Sequence, residues 1–274
     1  MIVCIPKVPG ARTMGDYRPI ALANIKFKIV TKIVADRLAG MTSQIISIEQ
    51  RGFVRGRNIS ECIVLASEAI NSLDKRQYGG NIALKVDISK AFDTLDWNFL
   101  TMVMHNFGFS NIFINWILAI IQLARLSILV NGKAVGFFSC SRGVHQGDPL
   151  SPLLFCLAEE VLIRALSTSA ARGQLIPTYF CRGTVFPTHV LYVDDIMIFC
   201  TGLKSNIREL LSIFKGKSKV IHFRMITDRI KNKLTTWKGR ILSIMGRVQL
   251  VKSVIHGMMV YSFHVYCNTL NSIL

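Results

Sequence analysis

Two adjacent carboxylates, Asp194 and Asp195, interrupt an apolar run, HVLYVDDIMIFC, at residues 189–200. Adjacent acids beside an apolar core repel each other, lose hydration and gain proton affinity unless a cation joins them. A divalent metal ion is the natural partner for such a pair. Asp is also a favoured turn residue, and on this stretch alone the tip of a tight hairpin is the simpler interpretation.

A third acid, Asp87, ends a short predicted strand, IALKVDI, at 82–88. It lies 107 positions before Asp194, so only tertiary structure could join the two. A sheet that pairs this strand with the Asp-Asp hairpin would gather three carboxylates. Such a cluster can hold two divalent ions about 3.5–4 Å apart, one activating an attacking hydroxyl and the other steadying a leaving pyrophosphate.

Hydrophobic periodicity predicts a mixture of helices and short strands around these acids. Predicted helices lie near 25–38, over 60–75, from Trp97 with Asp96 as N-cap, over 111–124, and for about twenty residues from Leu153. Predicted strands lie at 82–88, on both sides of Asn131-Gly132, and within 189–200. A loop rich in Gly and Pro, SRGVHQGDPLSP at 141–152, precedes the long helix.

The charge balance points to a polyanionic partner. The chain of 274 residues has 33 basic and 16 acidic side chains, a formal net charge of +17. Thirteen of the basic residues lie between Lys204 and Lys252, against two acids, Glu209 and Asp228. This imbalance favours a surface that grips a nucleic-acid backbone over an ordinary solvated helix face, with an anionic membrane surface as the second choice.

Several classes of protein are excluded by composition. The seven cysteines are scattered without a Cys-x-x-Cys pair, so we expect reduced core thiols rather than disulfides or a zinc knuckle. The N-terminal residues contain prolines where a signal peptide needs an apolar helix. The apolar run 112–130 contains Asn115, Gln122 and Arg125, and predicts a buried helix followed by a strand rather than a membrane span.

Three segments in a fixed order resemble a known family. KVDISKAFDTLDW at 85–97, GVHQGDPLSPLLF at 143–155 and YVDD at 192–195 resemble the A, B and C motifs of reverse transcriptases, and are most similar to those of plant non-LTR (LINE-type) retrotransposons. Residues 5–38 and 49–70 resemble the family's fingers, and 230–255 the start of its thumb.

The resemblance implies an α+β right-hand polymerase fold. Helical fingers are expected over 1–80, a palm with a small antiparallel sheet over 81–203, and a partial helical thumb over 204–274. Carried over position by position, it makes Asp87, Asp194 and Asp195 the catalytic, metal-binding acids. They would hold two Mg²⁺ or Mn²⁺ ions.

The resemblance also implies nucleotide contacts. Phe92 would be the aromatic gate that excludes a 2′-hydroxyl, a role that a buried core aromatic also satisfies. Gln146 and Gly147 would shape the nucleotide pocket. Arg57, and less directly Arg55, would pair with the triphosphate, although Arg55 equally fits a solvated loop arginine.

Other positions have a more structural interpretation. Asp93 and Asp148 belong to the motifs, but we interpret them as turn or cap residues. The segment 230–255 is amphipathic, with a basic outer face that predicts nucleic-acid contacts. The basic residues assigned to that face are Arg229, Lys233, Arg240 and Arg247.

The sequence departs from the family in three places. His145 replaces a basic residue, Tyr192-Val193 replaces Phe-Ala, and neither change removes a catalytic group. Only 28 positions separate Cys200 from Asp228, too few for the helix, lysine-bearing strand and primer-gripping hairpin of the family. We therefore expect a deletion near 211–219.

The predicted function is RNA-directed DNA synthesis on an RNA template, from a DNA primer and deoxynucleotide triphosphates. The chain begins within the expected fingers, so we interpret it as a fragment of a mobile element, located inside the cell in the nucleus. Two alternatives stay open: a catalytically inactive nucleic-acid-binding remnant, and an intron maturase that uses the same core to fold RNA. A membrane protein is a distant further alternative.

Overall fold

A computed structural model describes residues 1–71, 73, 80–88, 90–122, 125–178 and 187–215, without the side chains of Met14, Asp87 and Lys215. Within these ranges the chain combines helices with two small sheets, which confirms the α+β class. It divides into two compact units, one formed by Met1–Glu61 with Lys90–Arg164, the other by Cys62–Ser89 with Ala165–Leu274. The limits of fingers, palm and thumb stay a prediction.

The elements are numbered along the chain. The strands are β1 (Ile2–Pro6), β2 (Tyr17–Ala21), β3 (Asn81–Asp87), β4 (Arg125–Val130), β5 (Lys133–Ser139), β6 (His189–Tyr192) and β7 (Asp195–Thr201). The helices are α1 (Ile25–Ile45), α2 (Ile59–Asn71), α3 (Ala91–Thr94), α4 (Trp97–Asn106), α5 (Asn111–Gln122), α6 (Ser151–Ala171) and α7 (Lys204–Lys215).

Local capping signals fix several of these helix ends. The Oδ1 atom of Asp96 accepts a hydrogen bond of 2.8 Å from the Phe99 amide, which confirms Asp96 as the N-cap of α4. Asn24 caps α1 in the same way, through a bond of 3.0 Å from the Lys26 amide. Helix α1 runs seven residues past the predicted end at Leu38, because residues 39–45 include good helix formers and no proline.

The first unit contains a four-stranded sheet in the order β2-β1-β4-β5. Strands β4 and β5 form an antiparallel hairpin whose two-residue loop is Asn131-Gly132, as the sequence predicts. Both loop residues have positive φ, 49° and 77°, which Asn and Gly adopt readily. The apolar run 112–130 is therefore divided between α5 and β4, and no helix of the described part of the chain is long and apolar enough to cross a membrane.

The second unit contains a three-stranded antiparallel sheet in the order β3-β7-β6. Side chains of α2 pack on one face of this sheet, where Cys62 and Ala69 join Val190 and Phe199 in a buried cluster. The other face carries fully buried residues such as Ile198. The sheet is thus covered along most of its length on both sides, as expected for strands with near-continuous apolar sequence.

The five cysteines in the described part of the chain are free thiols, and three of them lie in the core, as predicted. Cys62, Cys156 and Cys200 are buried, and Cys4 and Cys140 are partly exposed. Burial raises the pKa of Cys200 to about 11. Cys181 and Cys267 lie outside the described residues.

Candidate active site

The paired acids lie on the hairpin between β6 and β7. The two-residue loop is Val193-Asp194, and Asp195 already belongs to β7, where it pairs with Tyr192. The expected tip, Asp194-Asp195, is therefore displaced by one residue. The reason is that pairing across the hairpin sets the register, and this pairing includes Asp195.

The loop contains a residue in an unfavourable conformation. Val193 has φ of 57°, in the left-handed region that β-branched side chains rarely adopt. Its side chain is nevertheless only 7% exposed. Backbone strain of this kind costs of order 1–3 kcal/mol and persists where the surrounding structure holds it in place.

The predicted pairing of the Asp87 strand with the hairpin is confirmed. Strand β3 pairs with β7 over seven residues, and the last pair is Asp87 with Asp195. Directly opposed residues of antiparallel strands have Cα atoms about 4.5–5.5 Å apart. The amide of Ile88 then donates to the Asp194 carbonyl at 3.1 Å. The backbone positions of all three predicted acids therefore lie together at one end of the sheet.

Lys85 adds a cation to this end of the sheet, which sequence reasoning missed. Its Nζ atom lies 2.7 Å from Oδ1 of Asp195, and the two side chains are 46% and 50% exposed. Strand alternation provided a signal, because position 85 is on the same face of β3 as position 87.

Carboxylate oxygens are the donors that Mg²⁺ and Mn²⁺ prefer, so the chemistry of the three acids fits these ions. Among the described side chains, no group of three His, Cys, Asp or Glu residues is assembled for a metal. The side chain of Asp87 is not among them. The three-carboxylate metal site therefore stays a prediction, supported by backbone register.

In the first unit, the loop that carries Gln146 packs directly on α3 and the start of α4. The Val144 amide donates to the Phe92 carbonyl, and the Trp97 indole donates to the Gly143 carbonyl, both at 2.7 Å. A Cβ atom on Gly143 would lie 2.7 Å from the Asp93 carbonyl oxygen, and φ there is +86°. Only glycine fits such a close backbone approach.

Gln146 bonds to an acid of the A motif. Its Nε2 atom donates to Oδ1 of Asp93 at 3.2 Å, and its carbonyl accepts from the Ala21 amide at 2.9 Å. Burial raises the pKa of Asp93, while the bond from Gln146 acts in the opposite direction. Asp93 lies in the single-turn helix α3, and its expected role as a turn or cap residue stays a prediction. Asp148 is a turn residue as expected, with Oδ1 accepting from the Leu150 amide at 2.9 Å.

Gly147 and Phe92 lie in the same unit as Gln146. Gly147 has φ of +95°, and a Cβ atom there would lie 3.4 Å from Cγ2 of Ile20. The Phe92 ring is partly exposed and packs against Phe155, with ring centroids 5.2 Å apart. Its two interpretations, aromatic gate and core aromatic, are therefore compatible with each other. The nucleotide-binding roles of these residues stay predictions.

Arg57 holds the end of α1. Its guanidinium donates to the carbonyls of Ile46, Ser47 and Gln50 at 2.5–2.8 Å. These contacts give Arg57 a structural role and engage both of its terminal nitrogens. The predicted contact with a triphosphate is untested for Arg57 and for the exposed Arg55.

Two buried glutamates of α6 also bind the segment that follows α1, and sequence reasoning assigned them no role. Glu160 is fully buried and accepts from the Ser47 amide at 2.9 Å and from Nε of Arg164 at 2.8 Å. Glu159 accepts from Nε2 of Gln50 at 2.6 Å. The apolar sequence around them, LLFCLAEEVL, indicates burial but not their partners.

The predicted nucleic-acid contacts of the thumb lie outside the described residues. These are Arg229, Lys233, Arg240 and Arg247. Helix α7 continues without interruption through Leu211–Phe214 and ends at Lys215. The rest of the expected deletion, residues 216–219, lies outside the described residues. The deletion therefore stays a prediction.

Comparison with known proteins agrees with this arrangement of motifs. The family model described as reverse transcriptase (RNA-dependent DNA polymerase) matches residues 5–245, which include all three motifs. The chain belongs to the reverse transcriptase family. It is a reverse transcriptase domain of the RNA-directed DNA polymerase class, whose members use a two-metal mechanism.

Relatives of this reverse transcriptase domain come from retrotransposons. A 149 kDa transposon TX1 protein of Xenopus laevis is 29% identical over 200 residues, covering 73% of this chain and 15% of that protein. The Pol polyprotein of element R2DM from Drosophila melanogaster is 27% identical, covering 72% of this chain and 18% of that protein. The relation to non-LTR retrotransposons is thereby confirmed. The chain spans less than a fifth of either relative.

Two further similarities are partial. An uncharacterized mitochondrial protein of Arabidopsis thaliana is 37% identical over 70 residues, covering 26% of this chain and 57% of that protein. Among solved structures, a telomerase of Candida tropicalis matches with a TM-score of 0.49 and 14% identity, over 79% of this chain and 46% of that chain.

Proposed function

We propose that this chain is the polymerase domain of a plant non-LTR retrotransposon and extends a DNA primer on an RNA template, with two Mg²⁺ or Mn²⁺ ions. A location in the nucleus is part of the same proposal. The observation that carries it is the pairing of Asp87 with Asp195, one residue from Asp194, inside a chain that matches the family over residues 5–245.

Asp87, Asp194 and Asp195 would hold the two ions. When bound, the ions activate the primer 3′-hydroxyl and neutralise charge on the leaving pyrophosphate. The chain's own contribution is to hold the three acids close to one another. The register of β3 on β7 holds the backbones of two of the acids opposite each other, and the bond between Ile88 and Asp194 holds the backbone of the third. Acids held in this way would need little rearrangement during the reaction.

The incoming nucleotide would contact the first unit. Phe92 would lie beneath the sugar and exclude a 2′-hydroxyl. The carboxamide of Gln146 is oriented by Asp93, and Gly147 leaves its backbone open to a base or sugar. Arg55 is exposed and suits the triphosphate, whereas Arg57 would reach it only by giving up its bonds to backbone carbonyls.

Primer extension on an RNA template tests the proposal. We expect Asp194→Asn to lower incorporation by about 10³-fold, because it removes one charge from the metal-binding acids while keeping the side-chain shape. Asp36→Asn is the matched control, since Asp36 is an exposed acid on α1 and its replacement should leave the rate unchanged.

Two results would contradict the proposal. Incorporation that survives Asp194→Asn would remove this acid from the reaction. Salt-sensitive binding of a primer and template by the wild-type chain, with no incorporation under Mg²⁺ or Mn²⁺, would favour the inactive nucleic-acid-binding remnant.

A further inference from the structure

We propose that the ammonium of Lys85 is an internal counter-ion, which stays paired with the carboxylate of Asp195 until a divalent cation displaces it. Lys85 would then be a positioning residue that sets the cation affinity of the acid cluster. The inference deepens the proposed function, since it rests on the metal-binding role of the same acids.

The register places Lys85 diagonally across from Asp195. Asp87 is opposite Asp195, and Lys85 is opposite Met197, one pair further along the same face of the sheet. From there the Lys85 side chain reaches toward the end of the sheet, and its Nζ atom contacts Oδ1 of Asp195 at 2.7 Å.

The apolar surroundings of Lys85 explain why its charge is directed to this end. The next pair along the face is Ala83 with Phe199, which packs with residues of α2. Met197 belongs to the same cluster. A lysine at the border of an apolar surface keeps its aliphatic stem against that surface and directs its ammonium to the polar side.

A single ammonium and a divalent cation compete for the same carboxylate. The ammonium neutralises one negative charge and partly relieves the repulsion among neighbouring acids. A divalent ion brings two charges and binds oxygens from several acids at once, so it prevails when present. Because Lys85 and Asp195 are both about half exposed, the displaced ammonium can move into water without burial.

A titration with Mn²⁺ alone, followed through the paramagnetic resonance signal of the free ion, measures this competition without any need for polymerase activity. We expect Lys85→Met to lower the Kd for Mn²⁺ by about fivefold, an effect appropriate to a half-exposed ion pair. Lys85→Arg keeps the charge and should retain nearly wild-type affinity.

The matched control is Lys32→Met. Lys32 and Asp36 form an exposed ion pair on α1 with the same Nζ–Oδ1 distance, 2.7 Å. This change removes the same single positive charge from the chain, and we expect no change in Mn²⁺ affinity. Lys85→Gln is a second neutral variant, and thermal unfolding of each variant checks that it folds.

A double-mutant cycle with Asp195→Asn separates displacement from general charge repulsion. If Lys85 acts through Asp195, Lys85→Met should no longer tighten Mn²⁺ binding in the Asp195→Asn background. Tightening that persists there would overturn the inference, as would unchanged or weaker Mn²⁺ binding by the two neutral variants, Lys85→Met and Lys85→Gln. A wild-type chain that binds no Mn²⁺ would overturn the proposed metal site and this inference together.

Discussion

Two β-hairpins of this chain share a two-residue loop and differ in what the loop contains. The β4–β5 hairpin turns on Asn131-Gly132, two residues that adopt positive φ at little cost. The β6–β7 hairpin turns on Val193-Asp194, with the β-branched Val193 at φ of 57°. The strained loop is the one that carries Asp194, a predicted catalytic acid, directly before Asp195 at the start of β7.

Support from neighbouring elements explains how the strained loop persists. Strand β7 is the central strand of its sheet, and five of its seven residues are at most 1% exposed. Strand β5 is an edge strand, and every one of its seven residues is exposed. A buried hairpin can hold an unfavourable backbone conformation in place, whereas an exposed hairpin depends on the preferences of its turn residues.

The largest expected effect comes from releasing the far end of the buried hairpin. Asn206 is fully buried, and its Nδ2 donates to the Thr201 carbonyl, the Thr201 hydroxyl and the Ile176 carbonyl, while its Oδ1 accepts from the Ile176 amide. We expect Asn206→Ala to lower the free energy of unfolding by about 4 kcal/mol, because it leaves several buried groups without partners.

Urea denaturation of Asn206→Ala, followed by circular dichroism, measures this loss. Asn98→Ala is the matched control, since Asn98 is exposed on α4 and should change stability by less than about 0.5 kcal/mol. Equal effects of the two substitutions would show that the Asn206 bonds do not anchor β7.

The second-largest expected effect is a loss of folding stability at low pH that originates in the buried hairpin. His189 in β6 is 1% exposed, and burial lowers its pKa to about 4. In the unfolded chain the pKa is about 6.5, so between these values the unfolded state binds the additional proton. Stability from this residue is therefore complete above pH 6.5 and is lost as the pH falls toward 4, by about 3 kcal/mol.

Unfolding of the wild-type chain and of His189→Gln at pH 7, 5.5 and 4.5 measures the contribution of His189. The difference between the two free energies should shrink as the pH falls. The pKa of His145, in the other unit, is also lowered by burial, and His145→Gln shows how much of the acid sensitivity belongs to that residue. A difference that is constant with pH would contradict the buried, neutral state of His189.

Features encoded within a few residues of sequence were predicted well. The Asp96 cap and the Asn131-Gly132 turn each depend on two to four neighbouring residues, and both are present. The tip of the acidic hairpin was predicted one residue too late. Apolar residues lie on both sides of the acids, so the sequence pattern does not show which two residues form the loop. Its register depends on pairing with β3, which is distant in sequence.

Contacts between distant polar residues could not be predicted. Glu160 and Ser47 are 113 positions apart, and Gln146 and Asp93 are 53 apart. Each of these side chains has several possible partners, and only the folded backbone selects one. The ion pair of Lys85 with Asp195 was missed for the same reason, although both residues lie inside recognised motifs.

The smallest expected effect comes from exchanging the two loops. Replacing Asn131-Gly132 with Val-Asp places a β-branched residue at φ of 49° and a non-glycine residue at φ of 77°, without the burial that supports Val193. We expect the free energy of unfolding to fall by about 2 kcal/mol.

The reverse change, Val193→Asn, relieves strain but loses a buried side chain, so we expect opposing effects of about 1–2 kcal/mol each to leave stability nearly unchanged. Urea denaturation of both variants tests the comparison directly. If the exposed hairpin accepts Val-Asp without loss, its turn residues do not determine its stability, and burial is not what allows Val193 to persist in the acidic loop.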